Sequence, residues 1–192
     1  MAQAPIRNEF SHPLEVAQLG PEGVALRLAA GESERKSLAK RFGILGILKL
    51  EAELRVLPLA EPGHYHVSGR LEAEVEQACV VSLEPVREVV SEAFERGFAP
   101  PEAVAAALAA LPEPSEDEAE LVDPDALDPP DPIEGGVIDL GEVVAEELAL
   151  SLNPYPRKEG ASWPAGYTPD PEPEAKVSPF AALAKLKQGT EK

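Results

Sequence analysis

The chain has 192 residues, with 17 Lys and Arg against 35 Asp and Glu, a formal charge of −18. That balance excludes indiscriminate binding to nucleic acid, which needs local positive charge, and suits a chain that stays dissolved or meets a basic partner. A single Cys excludes an internal disulfide and a Cys-based zinc site and fits a reducing cytoplasm, while the lack of a leader-like stretch or a long apolar run leads to no expected membrane contact.

Residues 1–8 are expected to be disordered. Residues 10–19 read as a short first strand, interrupted by Pro13. Residues 24–30 alternate, with Val24, Leu26 and Leu28 on one side, and Gly31 ends the run. Ser33 then precedes a short polar helix over 34–42, with Gly43 at its C-terminal end. Arg35, Lys36, Lys40 and Arg41 give this helix a positive surface. They are the candidate contacts to RNA phosphates, and the plain alternative is a solvated helix face.

The clearest alternation follows. Leu48, Leu50, Ala52, Leu54 and Val56 oppose Lys49, Glu51, Glu53 and Arg55, and Leu71, Ala73 and Val75 oppose Glu72, Glu74 and Glu76. Each run is a half-buried strand with one wet face. Glu61-Pro62-Gly63-His64 between them has Pro and Gly where a type II turn needs them, so a long antiparallel hairpin is predicted. Lys49 and Arg55 are expected to pair with the glutamates across its wet face.

Residues 86–98 are ambiguous. Val86, Val89, Val90, Ala93 and Phe94 match helical spacing. Val86, Val90, Phe94 and Phe98 fit one strand face, with Glu88, Glu92 and Arg96 as exceptions. Periodicity slightly favours a helix. The hairpin before it favours a strand added to the sheet, and a strand is the expectation.

Residues 100–134 are expected to be a disordered acidic insertion. Residues 101–111 are Ala-rich and read as at most a transient helix; from 113 to 134 acids recur with no Lys or Arg between them. A strongly signalled helix follows. Asp139 caps it, Glu142 three residues on completes a capping box, and Ile138 and Val143 are spaced as a hydrophobic staple. Leu140, Val143, Val144, Leu148 and Leu152 share one apolar face, and Pro154 and Pro156 stop the helix.

Residues 157–177 form a Pro-rich linker. Residues 178–192 are expected to carry a short tail helix, with Pro179 in its first turn and Phe180, Leu183 and Leu186 on one face. The fold class is therefore α+β: an antiparallel sheet of about five strands packed with one main helix. It forms a single domain over 9–156, interrupted at 100–134.

Chemistry is sparse. Cys79 has no sequence-local base, so a structural thiol outweighs a catalytic one. His64 and His66 would share a strand face, but with His12 the only other His, an ordinary hairpin tip is the better reading. No catalytic set, phosphate loop or metal cluster stands out, so no catalytic residue, cofactor or metal is expected.

The blocks taken in order resemble the YceD family, bacterial and plastid proteins linked to accumulation of large-subunit ribosomal RNA. The matching residues are Cys79 with Leu83, Glu84, Pro85 and Val86, and Ile138, Asp139 and Leu140 with Glu146, Glu147 and Leu148. Pro179 to Lys187, carrying Phe180, Leu183 and Leu186, complete the match. The resemblance also favours a strand over 86–98. It implies a cytoplasmic, non-enzymatic ribosome-biogenesis factor that supports 23S rRNA accumulation and large-subunit assembly. Such a factor would bind precursor large-subunit rRNA, a basic large-subunit ribosomal protein, or both, and no small-molecule substrate. The alternative is a general acidic adaptor for basic proteins. Many family members carry Cys-x-x-Cys where this chain reads Cys79-Val80-Val81-Ser82, so a metal or redox role of that pair has no support here.

Overall fold

A computed structural model describes residues 8–110 and 129–162. Residues Met1–Glu159 belong to one compact unit, and of a second, Gly160–Lys192, only the first three residues are described.

The first unit is built on a sheet of strong period-2 sequence. Strands β2 (Val24–Ala29), β3 (Gly46–Pro58), β4 (Tyr65–Ala78) and β5 (Pro85–Ala99) lie side by side, each antiparallel to the next. Leu50, Ala52, Leu54 and Val56 of β3 and Val67, Leu71, Ala73 and Val75 of β4 are all buried on one face. Burying a side chain of the Leu or Val class contributes about 1.5–3 kcal/mol, so this double row is the main source of the sheet's stability. The β3–β4 turn is the one expected. The Glu61 carbonyl accepts from the His64 N–H at 3.1 Å, and Gly63 takes φ +81°, which a side chain would resist.

Residues 85–99 form a strand, so the sheet wins over helical spacing. Its even-numbered face turns inward, burying Val90, Phe94 and Phe98. Phe94 lies over Gly69 of β4, where a Cβ would fall 2.8 Å from the ring's Cζ.

Helix α1 (Glu32–Phe42) packs on β3 through buried Leu38 and Ala39. Its cap is Gly31 rather than the expected Ser33: the Gly31 N–H donates to the Glu34 carboxylate at 2.6 Å. Gly43 closes it in the left-handed region, at φ +67°.

Helix α3 (Leu140–Ser151) crosses the inner face of β4 and β5. Leu140, Val143, Val144 and Leu148 are buried as the periodicity required, together with Gly141 and Ala145. Asp139 caps it, accepting from the N–H groups of Gly141 and Glu142. The expected return bond from Glu142 is replaced, because that carboxylate pairs with Arg41.

Four further expectations are corrected. Residues 10–19 do not join the main sheet: β1 (Pro13–Glu15) pairs with β7 (Val137–Asp139) in a separate two-stranded ribbon, and Val16–Gln18 form a 3-10 turn. Phe10 is drawn into the core and fixes this route. Leu48 points outward, 41 % exposed, because a register shift between Ile47 and Lys49 puts Ile47 inward instead.

The ends of the insertion at 100–134 are structured. Helix α2 (Pro101–Ala109) starts with Pro at its first turn and buries Val104. Strand β6 (Asp131–Pro132) adds parallel to Phe98 and Ala99 as the fifth strand, and Ile133 is buried beside it. Local apolar side chains at Val104 and Ile133 outweigh the surrounding polarity. The fourth correction concerns Arg55, which faces Ser68 rather than a glutamate, while Lys49 reaches Glu72 at 3.1 Å as expected.

Candidate functional site

The four cations expected to meet RNA sit on α1, but most already have partners. Arg41 forms a two-pronged pair with Glu142 of α3, at 2.9 and 2.6 Å, and also reaches Glu9 at 3.2 Å. The hydrogen bonds it donates to the Glu142 carboxylate hold its guanidinium above the ordinary arginine pKa, so it is a strap between helices and not a free cation. Arg35 donates to the Ala30 carbonyl at 2.6 Å, and Lys36 pairs with Glu32 at 2.6 Å. Lys40 is exposed and has no ion-pair partner among the described residues. Arg35, Lys36 and Lys40 rim a groove of about 570 Å³ between α1 and the start of β3, whose floor includes Ile44, Leu45 and Leu48.

The second candidate region is the corner between β4 and β5. Cys79 is closed off from solvent. Its Sγ receives three backbone N–H groups, from Val81, Ser82 and Lys158, each at 3.4 Å. The Lys158 N–H contributes most, followed by Ser82, and together they pull the thiol down to about 6. No described His bonds to it. The corner is tight: the Cys79 N–H donates to the Glu84 carbonyl, the Leu83 N–H to the Cys79 carbonyl, and Leu83 sits at φ +61°, a conformation rare for a branched side chain.

This corner ties down the chain after α3. The Val80 N–H donates to the Pro156 carbonyl, and Lys158 reaches Glu84 at 2.8 Å, holding that carboxyl below its usual range. Buried Gln77 donates to the Asn153 carbonyl, and Asn153 donates to Glu88. Cys79 and Glu84 are thus parts of a clasp that holds residues 153–158, Pro85 opens β5 directly after it, and Leu83, 77 % exposed, forms its outer tip.

Asp139, Leu140 and Leu148 are framework residues. Asp139 accepts from Ser11 Oγ at 2.7 Å, the His12 N–H at 2.8 Å and Asn8 Nδ2 at 3.0 Å, besides capping α3. Burial works against its charge, but these donors outweigh that effect and leave its pKa below the ordinary value. Pro179, Phe180, Leu183 and Leu186 lie outside the described residues.

His64 and His66 do not converge on one ion. His64 contacts the Pro62 carbonyl, and His66 lies 3.4 Å from Glu95 across the strand pair. Among the described residues no three His, Cys, Asp or Glu side chains gather as a metal site, and no helix is long and apolar enough to cross a membrane.

Sequence reasoning missed Arg96. It stands on the inward face of β5 and grips three acids. Nε donates to Glu147 at 2.7 Å, and Nη1 donates to Glu146 at 2.6 Å and to Asp131 at 3.3 Å. Burial opposes its charge, yet the two helix glutamates outweigh that and raise its pKa. The signal was present as a charged exception in an apolar row.

Among known families, the profile described as Large ribosomal RNA subunit accumulation protein YceD matches residues 67–187. No curated protein matches the chain, and no solved structure does. The match spans β4, β5, the Cys79 clasp and α3, more than half of the chain. This chain belongs to the YceD family.

Proposed function

We propose that this protein supports accumulation of 23S rRNA and assembly of the large ribosomal subunit as a binding factor in the cytoplasm, without chemistry of its own, by engaging a basic large-subunit ribosomal protein through its acidic surface. One observation carries the choice of partner. Arg41 and Lys36 are neutralised by carboxylates within the fold, which leaves only Arg35, bonded to a backbone carbonyl, and Lys40 to offer RNA phosphates unneutralised charge from the four cations of α1 among the described residues. Acids outnumber bases two to one over the chain, and residues 111–128 hold Asp and Glu with no Lys or Arg.

A basic ribosomal protein must be kept from non-specific RNA until it reaches its site. A dense acidic surface competes for those cations by the same counterion logic that governs phosphate binding. The thiol of Cys79 fits a structural role, since it is enclosed and its lone pairs are occupied by N–H donors.

The test is crosslinking in the native host followed by identification of RNA and protein partners together. The proposal expects a basic large-subunit protein as the main adduct, with capture falling steeply as salt rises. Direct adducts of α1 with precursor rRNA would move the contact to the Arg35–Lys40 groove. A spread of unrelated basic proteins would favour the general acidic adaptor.

A further inference from the structure

Strand β5 is 15 residues long, yet β6 covers only Phe98 and Ala99 of its outer edge. Among the described residues no other strand lies along the rest. The Ala99 carbonyl points outward, where it accepts from the Ile133 N–H at 2.9 Å. By the alternation of an extended chain, the N–H and C=O groups of Arg87, Val89, Ser91, Ala93 and Glu95 point outward too. Their side chains line the wet face of the sheet, with Val89 80 % exposed.

Edge strands are usually blunted by Lys, Pro or shortness. The opposite edge, β2, has six residues with Arg27 near its centre. Between Val86 and Gly97, β5 has no Pro, and its charges, Arg87, Glu88, Glu92, Glu95 and Arg96, are of both signs, so they deter a foreign strand but can be matched by a strand of complementary order.

We propose that this edge is a self-complementary interface, at which a second copy of the chain adds its own β5 antiparallel about a two-fold axis through Ser91. The charge order selects that register. With Ser91 opposite itself, Arg87, whose Nε bonds Glu76 of its own chain at 3.1 Å, presents its outer nitrogens to Glu95 of the other copy twice, and Val89 faces Ala93 twice. Moving the axis to Glu92 sets two glutamates directly opposite each other, and moving it to Val90 sets Glu88 against Glu92. Both alternatives place like charges in contact. In the selected register the outward backbone groups form about ten inter-copy hydrogen bonds and join two sheets into one.

The interface has a built-in weakness. The two Glu92 carboxylates approach diagonally across the axis, at about 7–8 Å. The patch is narrow, below the area of a stable dimer, so the association is weak and reversible.

Sedimentation of the purified full chain from about 10 µM to about 1 mM tests this. The expected result is a mass that rises from monomer towards dimer over that range. Val89→Lys should abolish the rise, while its circular dichroism stays unchanged because the side chain is exposed. Arg87→Glu and Glu95→Arg should each weaken association by about tenfold, and the doubly exchanged variant should restore it. Glu92→Gln should tighten it. A monomer at every concentration overturns the proposal, including the case in which a foreign strand is the real occupant. Dimers indifferent to Val89→Lys, or an exchange that fails to restore association, overturn it as well.

Discussion

Replacing Arg96 with Ala should cost about 2 kcal/mol of stability. Arg96 is the bond between the edge of the sheet and α3, with its side chain 21 % exposed and that of Glu147 16 % exposed. Breaking a fully buried pair by removing one partner costs about 3–5 kcal/mol, because the remaining charge is stranded. Here Glu146 and Asp131 are nearly half exposed, at 43 % and 48 %, so water screens them and the cost is discounted by about half.

Urea unfolding of the full chain reads this out. With a slope near 1.5 kcal/mol per M, the midpoint should fall by about 1.3 M at unchanged slope. Arg96→Met keeps the aliphatic stem and separates packing from charge; adding Glu147→Gln to it should recover about 1 kcal/mol, since the stranded carboxylate is then gone. A midpoint shift below about 0.3 M would refute the reasoning and make Arg96 an ordinary solvated side chain.

Three further expectations rest on other parts of the fold. A Cβ on Gly141 would lie 2.4 Å from the Phe10 carbonyl oxygen and 2.9 Å from the His12 nitrogen, so Gly141→Ala should force α3 off the N-terminal segment and cost about 1–3 kcal/mol in the same urea assay. Asp139→Ala should cost about 1–2 kcal/mol at pH 7. Because the folded carboxyl lies below its ordinary 3.8, that contribution is present above 3.8 and is lost as pH falls through the folded value; the gap between variant and wild type should close in acid.

The thiol of Cys79 drops from an ordinary 9.0 to about 6 in the fold, so its thiolate stabilises the native state fully above 9, and that contribution is lost as pH falls through 6. Cys79→Ser should therefore flatten the rise in urea midpoint between pH 6 and 9, and native Cys79 should react slowly with alkylating reagents despite its low pKa.

The sheet was legible in the sequence because one wet face imposes strict alternation. Leu50 to Val56 and Leu71 to Val75 announced both strands and their inner face, and Pro62-Gly63 announced the turn. Residues 85–99 were harder because Glu88, Glu92 and Arg96 interrupt the inward row. Each interruption has a local cause that no period encodes: Glu88 meets Asn153, Arg96 meets α3, and Glu92 lies on the exposed margin.

The bulge that turns Leu48 outward was invisible for a related reason, since one inserted residue exchanges the faces without changing composition. Arg41 looked available because its partner lies far away in sequence, with Glu142 101 residues on. The clasp at Cys79 was legible only as a motif. Its physical content, three N–H groups turned onto one sulfur, depends on Lys158 arriving from 79 residues downstream.

The most direct test of the central claim is the 23S to 16S rRNA ratio in native-host cells depleted of this protein and complemented with variants. The account predicts that depletion lowers the ratio and that wild type and Cys79→Ser both restore it. A chain whose acids in residues 111–128 are replaced by Asn and Gln should fail to do so. Full restoration by that neutralised chain, together with failure of Lys40→Glu, would contradict it and move the function to an RNA contact on α1.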